Sequence, residues 1–308
     1  MNYLVTGAGG FIGGAVVTAL VKAGHSVVTI DNFSTGFRGQ IPGGVEVIEG
    51  NCYEELVIKK LSGIKLDAIM HIAGQSSGEV SFDDPVYDLQ TNVQSTVMLM
   101  KHALSIGCRK FIYASSMSVY GDQKNQPVDE HAFPSPQSFY AIGKLASEKY
   151  MRIYNDLGLA TTSLRLFNVY GPGQNLQNLR QGMVSIFLRQ ALAKKHIQVK
   201  GSAERYRDHV YIDDVVHAFL AAVDQSESKH RIFNIGTGVK TSVEELIKII
   251  CDRLPYNVEV EYEGSTPGDM LGIYANTDLI KNTLNWEARV SLESGIDRMV
   301  NWARTQEN

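Results

Sequence analysis

The feature that most restricts the fold of this chain is the glycine-rich stretch TGAGGFIGG at residues 6–14. It follows a short apolar run, NYLVTG, and precedes a segment whose apolar residues have helical spacing and which ends at Gly24. Gly7, Gly10 and Gly13 fall three positions apart, so a tight turn can lead from a buried strand into a helix while backbone N–H groups approach a bound pyrophosphate. The stretch therefore predicts a parallel strand–turn–helix unit whose turn is not blocked by side chains.

The same alternation of strand and helix patterns continues as far as Gly171. Strands that alternate with helices form a parallel sheet covered by helices on both faces. We therefore predict an α/β fold, a Rossmann-type doubly wound parallel sheet with a smaller C-terminal α/β lobe. Helices are expected at about residues 85–107 and 140–157, and further strands at HSVVTIDN, GVEVIEGN, LDAIMHIAG, RKFIYASS and TTSLRLFNVYG.

The rhythm breaks after Gly171, where the polar loop GPGQNLQNLRQG begins. Later segments predict another strand at HRIFNIGTG and a helix at TSVEELIKIICDRL, in which Ser242 and Glu245 are spaced as a capping box. We expect a nucleotide-binding domain made of residues 1–167 plus about 207–236, and a second lobe made of residues 168–206 plus 237–308.

Composition excludes several classes of protein. The 308 residues carry a formal net charge of −4 with acidic and basic residues mixed throughout, which argues against a nucleic-acid partner. Cys52, Cys108 and Cys251 are far apart and form no CxxC pair, so we expect free thiols, a cytoplasmic location and no metal site. Glycines interrupt the apolar start within ten residues, so we expect neither a signal peptide nor a membrane span.

Asp31 stands at the end of the second predicted strand, where a carboxylate can accept hydrogen bonds from both ribose hydroxyls of a dinucleotide. The same negative charge repels a 2′-phosphate, which favours NAD over NADP. A glycine cluster alone is a weak signal, and the alternative is an ordinary turn with a surface aspartate.

A longer series of motifs resembles the extended short-chain dehydrogenase/reductase family, and in particular its nucleotide-sugar epimerase branch. The resemblance covers about residues 1–302 and places the family's motifs in order along the chain. They are TGAGGFIG, DNFSTG, HIAGQS, Asn92, ASSMSVYG, YAIGK, LRLFNVYGPGQ, RDHVYIDDVV, NIGTG, PGD and LNW.

This resemblance implies roles for individual residues. Ser116, Tyr140 and Lys144 match the family's catalytic set, and Ser116, Asn168 and Arg207 match positions that contact the substrate. The second lobe would bind the nucleotide sugar. The residues implied to bind NAD are Gly7, Gly10, Phe11, Ile12, Gly13, Asp31, Asn32, Asn51, Cys52, Ile72, Ala73, Gln75, Asn92, Tyr140 and Lys144.

Tyr140 and Lys144 are four residues apart and can share one face of a helix. A tyrosine that acts as a base at neutral pH needs its pKa lowered by roughly 3 units, or about 4 kcal/mol. One ammonium at about 5 Å supplies roughly 3 kcal/mol at an effective dielectric of ~20. We expect Lys144 to lower the pKa of Tyr140, with the positive nicotinamide ring supplying the remainder. Without the other motifs, an ordinary surface pair would be the better interpretation.

The resemblance implies epimerisation, most simply at C4 of a UDP-sugar through a transient 4-keto intermediate. Related dehydratases carry acidic residues immediately after the serine of this strand, whereas this chain has Met117 and Ser118. Glu79 could approach the sugar from another loop, so a dehydratase or a keto-sugar reductase remains an alternative. A catalytically silent NAD-binding protein is a third hypothesis, against which the intact catalytic set argues.

The substrate end departs from the family pattern. Arg207 matches the first of two arginines that clamp the diphosphate, but Thr266 stands where the second is usual. The basic residues that could substitute for it are Arg180, Arg189, Lys200 and Arg205. UDP is the expected base, and the helices at about 85–107 and 140–157 resemble those that form a homodimer in relatives.

Overall fold

The computed structural model describes residues 1–224, 230–264 and 271–306. Its strands are β1 (Asn2–Thr6), β2 (Ser26–Asp31), β3 (Glu46–Glu49), β4 (Ala68–His71), β5 (Lys110–Ser116), β6 (Ala160–Leu166), β7 (Asn168–Tyr170), β8 (His196–Lys200), β9 (Tyr206–Arg207), β10 (His209–Tyr211), β11 (Arg231–Ile235), β12 (Thr241–Ser242) and β13 (Glu259–Glu263). Its α-helices are α1 (Phe11–Lys22), α2 (Glu55–Lys59), α3 (Pro85–Leu89), α4 (Ser95–Ser105), α5 (Phe139–Asp156), α6 (Met183–Lys194), α7 (Ile212–Asp224), α8 (Val243–Cys251), α9 (Asp278–Leu284) and α10 (Leu292–Thr305).

A seven-stranded sheet in the order β11-β6-β5-β4-β1-β2-β3 confirms the predicted Rossmann-type fold. The pairs β1–β2, β1–β4, β2–β3 and β4–β5 are parallel. Thr6, at the end of β1, stands opposite Ile30 and His71 in the register. The carboxyl ends of these strands therefore meet at one edge of the sheet, where Asp31 and Ser116 also lie.

The sheet is buried because its strands are nearly continuous apolar runs. Leu4, Ile30, Ile69 and Phe111 are fully buried. Helix α1 packs close to the first turn, since a Cβ added to Gly13 would lie 2.0 Å from the carbonyl oxygen of Gly7. The position of α1 against the turn thus requires the glycine that the sequence pattern singled out.

The chain divides into two compact units. The first unit comprises Met1–Val119, Pro136–Arg165 and Val216–Phe233, and the second comprises Tyr120–Ser135, Leu166–Val215 and Asn234–Asn308. These units differ from the domains expected from the sequence at residues 120–135, 166–167, 207–215 and 234–236. The units are defined by packing, whereas the expected domains were divided by the ligand that each would bind. The division by ligand remains a prediction.

The second unit is built from short strand pairs and helices. Strands β7 and β10 pair in parallel, as do β8 and β13, whereas β9 and β12 are antiparallel. Helix α8 begins with the predicted capping box, in which Ser242 and Glu245 each accept a hydrogen bond from the other's backbone N–H.

Two predicted elements are interrupted. The segment TTSLRLFNVYG forms β6 and β7 rather than one strand, and the helix predicted at 85–107 contains a π-helical turn at Gln90–Gln94. Within the described ranges, every helix is too short or too polar to span a lipid bilayer.

Candidate active site

The first turn leaves backbone N–H groups open to a ligand. Gly7 has φ of +75°, and a Cβ placed on it would lie 2.8 Å from the backbone nitrogen of Ala73. Gly10 is the N-cap of α1, and no side chain in this described turn caps the helix. The first N–H groups of α1 are thus suited to an anionic group such as a phosphate.

Asp31 organises the loops at the end of β2. Its carboxylate accepts hydrogen bonds from the backbone N–H of Gly9 at 2.8 Å and of Phe33 at 2.7 Å. A carboxylate has about four lone-pair sites, so these two bonds leave capacity for further donors. The buried position of Asp31 is therefore compatible with the expected contact to a ribose.

The residues expected beside an adenine form a short network. Asn32 donates a hydrogen bond from Nδ2 to Asn51 Oδ1 at 2.6 Å, and Asn51 in turn donates to Glu54. Burial raises the pKa of the Cys52 thiol to about 12, so this group is a neutral packing residue at physiological pH. The network fixes the orientation of the Asn51 amide, whose oxygen keeps one lone pair.

His71, at the end of β4, is a neutral packing residue. Burial, together with the positive charge of Lys144, lowers its pKa to about 3. Its ring nitrogens contact Thr6 Oγ1 at 2.7 Å and Ser95 Oγ at 3.1 Å. Thr6 Oγ1 also accepts hydrogen bonds from the backbone N–H groups of Ile72 and Ala73, both at 3.1 Å. His71 thereby helps to hold the segment that carries the predicted cofactor residues after β4.

The catalytic set predicted from the sequence lies together in the first unit. Ser138 caps α5 by accepting a hydrogen bond from Ala141 N at 3.1 Å, which places Tyr140 in the first turn of that helix. The Lys144 ammonium lies 5.6 Å from the Tyr140 ring centroid and donates a hydrogen bond to the Ala114 carbonyl at 2.9 Å. A hydrogen bond also links the Tyr140 phenol with Ser116.

The pKa of the Tyr140 phenol is set mainly by burial. Burial raises it to about 12, with a smaller upward effect from Asp88, and the hydrogen bond with Ser116 only partly opposes this rise. Burial likewise lowers the pKa of Lys144 to about 8. Burial therefore dominates the pKa of both groups in the chain alone. The expected lowering of the Tyr140 pKa by Lys144 and the nicotinamide ring remains a prediction.

The turn after β5 has no acidic side chain at its first two positions. Met117 and Ser118 follow Ser116, and the Ser118 hydroxyl donates a hydrogen bond to Ser116 Oγ at 3.0 Å. Glu79 is exposed on its loop, and Asp84 caps α3 by accepting a hydrogen bond from Tyr87 N at 2.9 Å. Ser118 therefore supports Ser116 rather than replacing an acid.

Two amide side chains in the first unit share one carboxylate. Gln75 Nε2 and Asn92 Nδ2 donate hydrogen bonds to Asp88 Oδ2 at 2.9 and 3.2 Å. Asp88 is 1% exposed. Asp88 is not among the site residues predicted from the sequence. Its position four residues before Asn92 places both side chains on one helical face and could have indicated the contact.

Two of the three predicted substrate residues, Asn168 and Arg207, lie together in the second unit. Asn168 in β7 donates its backbone N–H to the carbonyl of Asp208 at 3.0 Å, next to Arg207. The Asn168 Oδ1 atom is buried and has no hydrogen-bond partner among residues 1–224, 230–264 and 271–306. Burial and the neighbouring Arg205 lower the pKa of Arg207 to about 10, so it stays positively charged at neutral pH. Thr266 and the PGD motif lie outside the described residues.

The strand order, the glycine turn and the Ser–Tyr–Lys cluster together define the short-chain dehydrogenase/reductase class of dinucleotide-binding proteins. A model of the NAD-dependent epimerase/dehydratase family matches residues 3–236. The chain belongs to this family.

Three proteins are similar to this chain over almost their full lengths. UDP-glucose 4-epimerase of Mycolicibacterium smegmatis is 34% identical over 313 residues, which cover 99% of both chains. The crystal structure of UDP-glucose 4-epimerase from Thermotoga maritima with UDP-glucose is 33% identical, with a TM-score of 0.96 and complete coverage of both chains. The structure of the Thermus thermophilus UDP-glucose 4-epimerase complex with NAD is 29% identical, with a TM-score of 0.92 and 99% coverage of both chains.

Proposed function

We propose that this protein is an NAD-dependent UDP-sugar 4-epimerase. The observation that carries the proposal is the cluster of Ser116, Tyr140 and Lys144 at the carboxyl edge of a dinucleotide-binding sheet. Full-length similarity to UDP-glucose 4-epimerases supports the reaction and the class of substrate.

The described residues fit the cofactor that the family requires. A Cβ on Gly7 or Gly13 would collide with backbone, so the turn is shaped for backbone contact with a phosphate, and Asp31 keeps acceptor capacity for a ribose. We propose that these residues hold NAD together with the other cofactor residues predicted from the sequence. Bound NAD supplies the hydride acceptor and donor of the reaction.

Tyr140 is proposed to act as the base and then as the acid. Its phenolate would remove the proton from the sugar 4-hydroxyl while Ser116 holds that hydroxyl by a hydrogen bond. The sugar carbon would become a ketone as it gives up its hydride to the bound dinucleotide. After the sugar turns over, the hydride would return to the opposite face of that carbon, and Tyr140 would return the proton to its oxygen.

Lys144 is proposed to stabilise the Tyr140 phenolate by its positive charge. With a pKa of about 8, it is mostly protonated at neutral pH, whereas Tyr140, with a pKa of about 12 in the chain alone, is not ionised. The base form of Tyr140 therefore requires additional positive charge from the oxidised cofactor. This requirement couples proton removal to the oxidised state of the bound dinucleotide.

Epimerisation is favoured over dehydration because the turn after β5 lacks an acid. Elimination of water needs an extra proton donor and acceptor beside the ketone. Met117 cannot exchange a proton, and the Ser118 hydroxyl is already donated to Ser116. These contacts support a catalytic centre that oxidises and reduces the same carbon.

In the second unit, Asn168 and Arg207 are proposed to bind the nucleotide sugar. The guanidinium fork of Arg207 matches phosphate geometry. The buried Asn168 Oδ1, which has no partner among the described residues, can accept a hydrogen bond from a hydroxyl or N–H group elsewhere on the nucleotide sugar. UDP is the proposed nucleotide, because the Mycolicibacterium smegmatis relative is a UDP-glucose 4-epimerase and the Thermotoga maritima structure contains UDP-glucose.

A homodimer is proposed from an apolar surface on the first unit. The exposed apolar residues on and next to α3 and α5 are Phe82, Val86, Leu89, Phe139, Ile142, Ile153 and Leu157. The rings of Phe82 and Phe139 meet edge to face, with centroids 5.4 Å apart. Exposed apolar patches of this kind mark protein interfaces.

A cytoplasmic location is proposed from the cysteines. The free thiols support a reducing compartment.

The test of the proposed function is to incubate the purified protein with single UDP-sugars without added NAD and to record proton NMR spectra. We expect a new C4 stereoisomer to accumulate to equilibrium with no net consumption of cofactor. Loss of the 6-hydroxymethyl signal would instead indicate dehydration, and dependence on stoichiometric reduced cofactor would indicate a reductase.

A further inference from the structure

We propose that Asp88 is a positioning residue of this active site, which fixes the amides of Gln75 and Asn92 and keeps a negative charge beside Lys144. The inference rests on the proposed epimerase function. Asp88 contacts no predicted reacting atom, and we infer that it acts through Asn92 and Lys144.

The Asp88 carboxylate accepts hydrogen bonds from two amide side chains. Asp88 Oδ2 accepts from Gln75 Nε2 at 2.9 Å and from Asn92 Nδ2 at 3.2 Å. The other oxygen, Oδ1, would lie 3.4 Å from a Cβ placed on Gly143. Gly143 of the YAIGK motif in α5 thus lies next to this buried carboxylate.

The side-chain amide of Asn92 is held in one orientation by two acceptors. Its Nδ2 group donates to the Gln75 carbonyl at 3.0 Å as well as to Asp88, so both of its N–H groups are used. A flipped amide would place the oxygen of Asn92 against two oxygen acceptors, which is unfavourable. Asp88 and the Gln75 carbonyl therefore determine together which way the Asn92 oxygen points.

The side-chain oxygen of Asn92 faces the same gap as the Lys144 ammonium. Asn92 Oδ1 is buried and has no hydrogen-bond partner in the part of the chain that the structure describes. A Cβ on Gly74 would lie 2.5 Å from Asn92 Oδ1 and 3.6 Å from Lys144 Nζ. The unpartnered acceptor and the ammonium thus border the same small gap. An ammonium has three donors, of which Lys144 uses one on Ala114.

Two carboxylates act on the charge of Lys144. Asp88 on α3 and Glu148 on α5 both raise its pKa against the effect of burial. The rings of Tyr113 from β5 and Tyr140 also face the ammonium, at 4.7 and 5.6 Å.

Of the remaining neighbours of Lys144, His71 from β4 is neutral above about pH 3. The charge of Glu148 is balanced by Arg165, which donates to it at 2.9 and 2.7 Å. Asp88, in contrast, is bonded to neutral amides, and of the two carboxylates it has the larger effect on Lys144.

The test compares Asp88→Asn with Asp156→Asn, which removes the same charge from an exposed position at the end of α5. Asp88 raises the pKa of both Lys144 and Tyr140. In Asp88→Asn we therefore expect both limbs of the pH profile of kcat to move to lower pH, by about one unit for a close charge. The control variant should keep the profile of the unaltered protein.

A second readout does not depend on catalysis. Lysine-labelled protein, with the Lys144 signal assigned by Lys144→Arg, is titrated by NMR. We expect the Lys144 midpoint to fall by about one unit in Asp88→Asn. In the unaltered protein we expect the Lys144 signal to shift as Asp88 is protonated, which tests the proposal even if Asp88→Asn does not fold.

Superimposable pH profiles with an unchanged Lys144 titration would overturn the role of Asp88, as would a uniform loss of kcat without a shift in either limb. If the unaltered protein shows no epimerisation, the proposed function fails, while the Lys144 titration still decides whether Asp88 controls its charge.

Discussion

Arg165 and Glu148 form a two-point ion pair inside the first unit, with Nε 2.9 Å from Oε1 and Nη2 2.7 Å from Oε2. Ser115, next to Ser116 in β5, donates a further hydrogen bond to Glu148 at 2.6 Å. The pair thereby connects β5, β6 and the helix that carries Tyr140 and Lys144.

Removal of one partner should leave a buried, uncompensated charge. We expect Arg165→Leu to lower the free energy of unfolding in urea by about 3–5 kcal/mol. Lys59→Met, which breaks an exposed pair with Glu55 in α2, is the control and should change stability far less. Equal losses in the two variants would contradict this role for the buried pair.

Stability should fall in weak acid because two buried histidines are neutral in the folded state. Burial lowers the pKa of His71 and His209 from near 6.5 to about 3. The unfolded chain binds protons that the folded chain excludes, so stability is lost as pH falls below about 6.5. Each histidine should contribute a slope of up to roughly 1.4 kcal/mol per pH unit.

The measurement for this pH effect is urea unfolding between pH 7 and pH 5. His71→Gln should reduce the slope, and replacement of the exposed His131 by glutamine should leave it unchanged. A slope that is the same in both variants would show that the buried ring does not set the acid sensitivity.

Replacement of the proposed base should separate chemistry from binding. We expect Tyr140→Phe to lower kcat by roughly 10²–10⁴-fold because the phenol can no longer exchange a proton. NAD content after purification, measured by absorbance after denaturation, should be close to that of the unaltered protein. Tyr150→Phe changes an exposed tyrosine of the same helix and should retain full activity, and comparable activity in the two variants would exclude Tyr140 as the base.

Arg207→Ala should weaken UDP-sugar binding much more than NAD binding. Loss of a charge-assisted hydrogen bond costs about 1.5–3 kcal/mol, so we expect affinity to fall by roughly 10- to 100-fold in calorimetric titrations. Arg207→Lys keeps the charge but loses the fork, and should show an intermediate affinity. If both ligands lose affinity equally, Arg207 is not a specific diphosphate contact.

Substitutions that place charged side chains on the apolar surface of α5 should separate the proposed dimer into monomers. We expect Ile142→Glu combined with Ile153→Glu to sediment at 34.0 kDa, the mass of one chain, while the unaltered protein sediments at twice that mass. Leu56→Glu places the same side chain at another exposed apolar position and should not alter the assembly. An unaltered protein that is monomeric at all concentrations would exclude the dimer.

Much of the fold could be predicted from the sequence because its signals are local. The glycine spacing at residues 6–14 and the alternation of apolar runs predict the parallel sheet, and the spacing of Tyr140 and Lys144 places both on one helical face. The capping box at Ser242 was also predicted, because it depends only on residues within one turn.

The missed features depend on tertiary packing. Asp88 lies in a short helix beside the exposed residues Val86 and Leu89, so the local pattern does not mark it as buried. The raised pKa of Tyr140 likewise arises from burial of the phenol in the folded chain, which the local sequence does not show. The split between β6 and β7 has no signal in the run TTSLRLFNVYG that we recognise.

The unequal burial of the thiols has a practical consequence for spectroscopy. Cys52 and Cys108 are buried, whereas Cys251, at the end of α8, is partly accessible. A maleimide fluorophore should therefore attach first at Cys251, in the second unit. Single-site labelling would then need no engineered cysteine, and the dye would sit on a unit that contains neither Tyr140 nor Lys144.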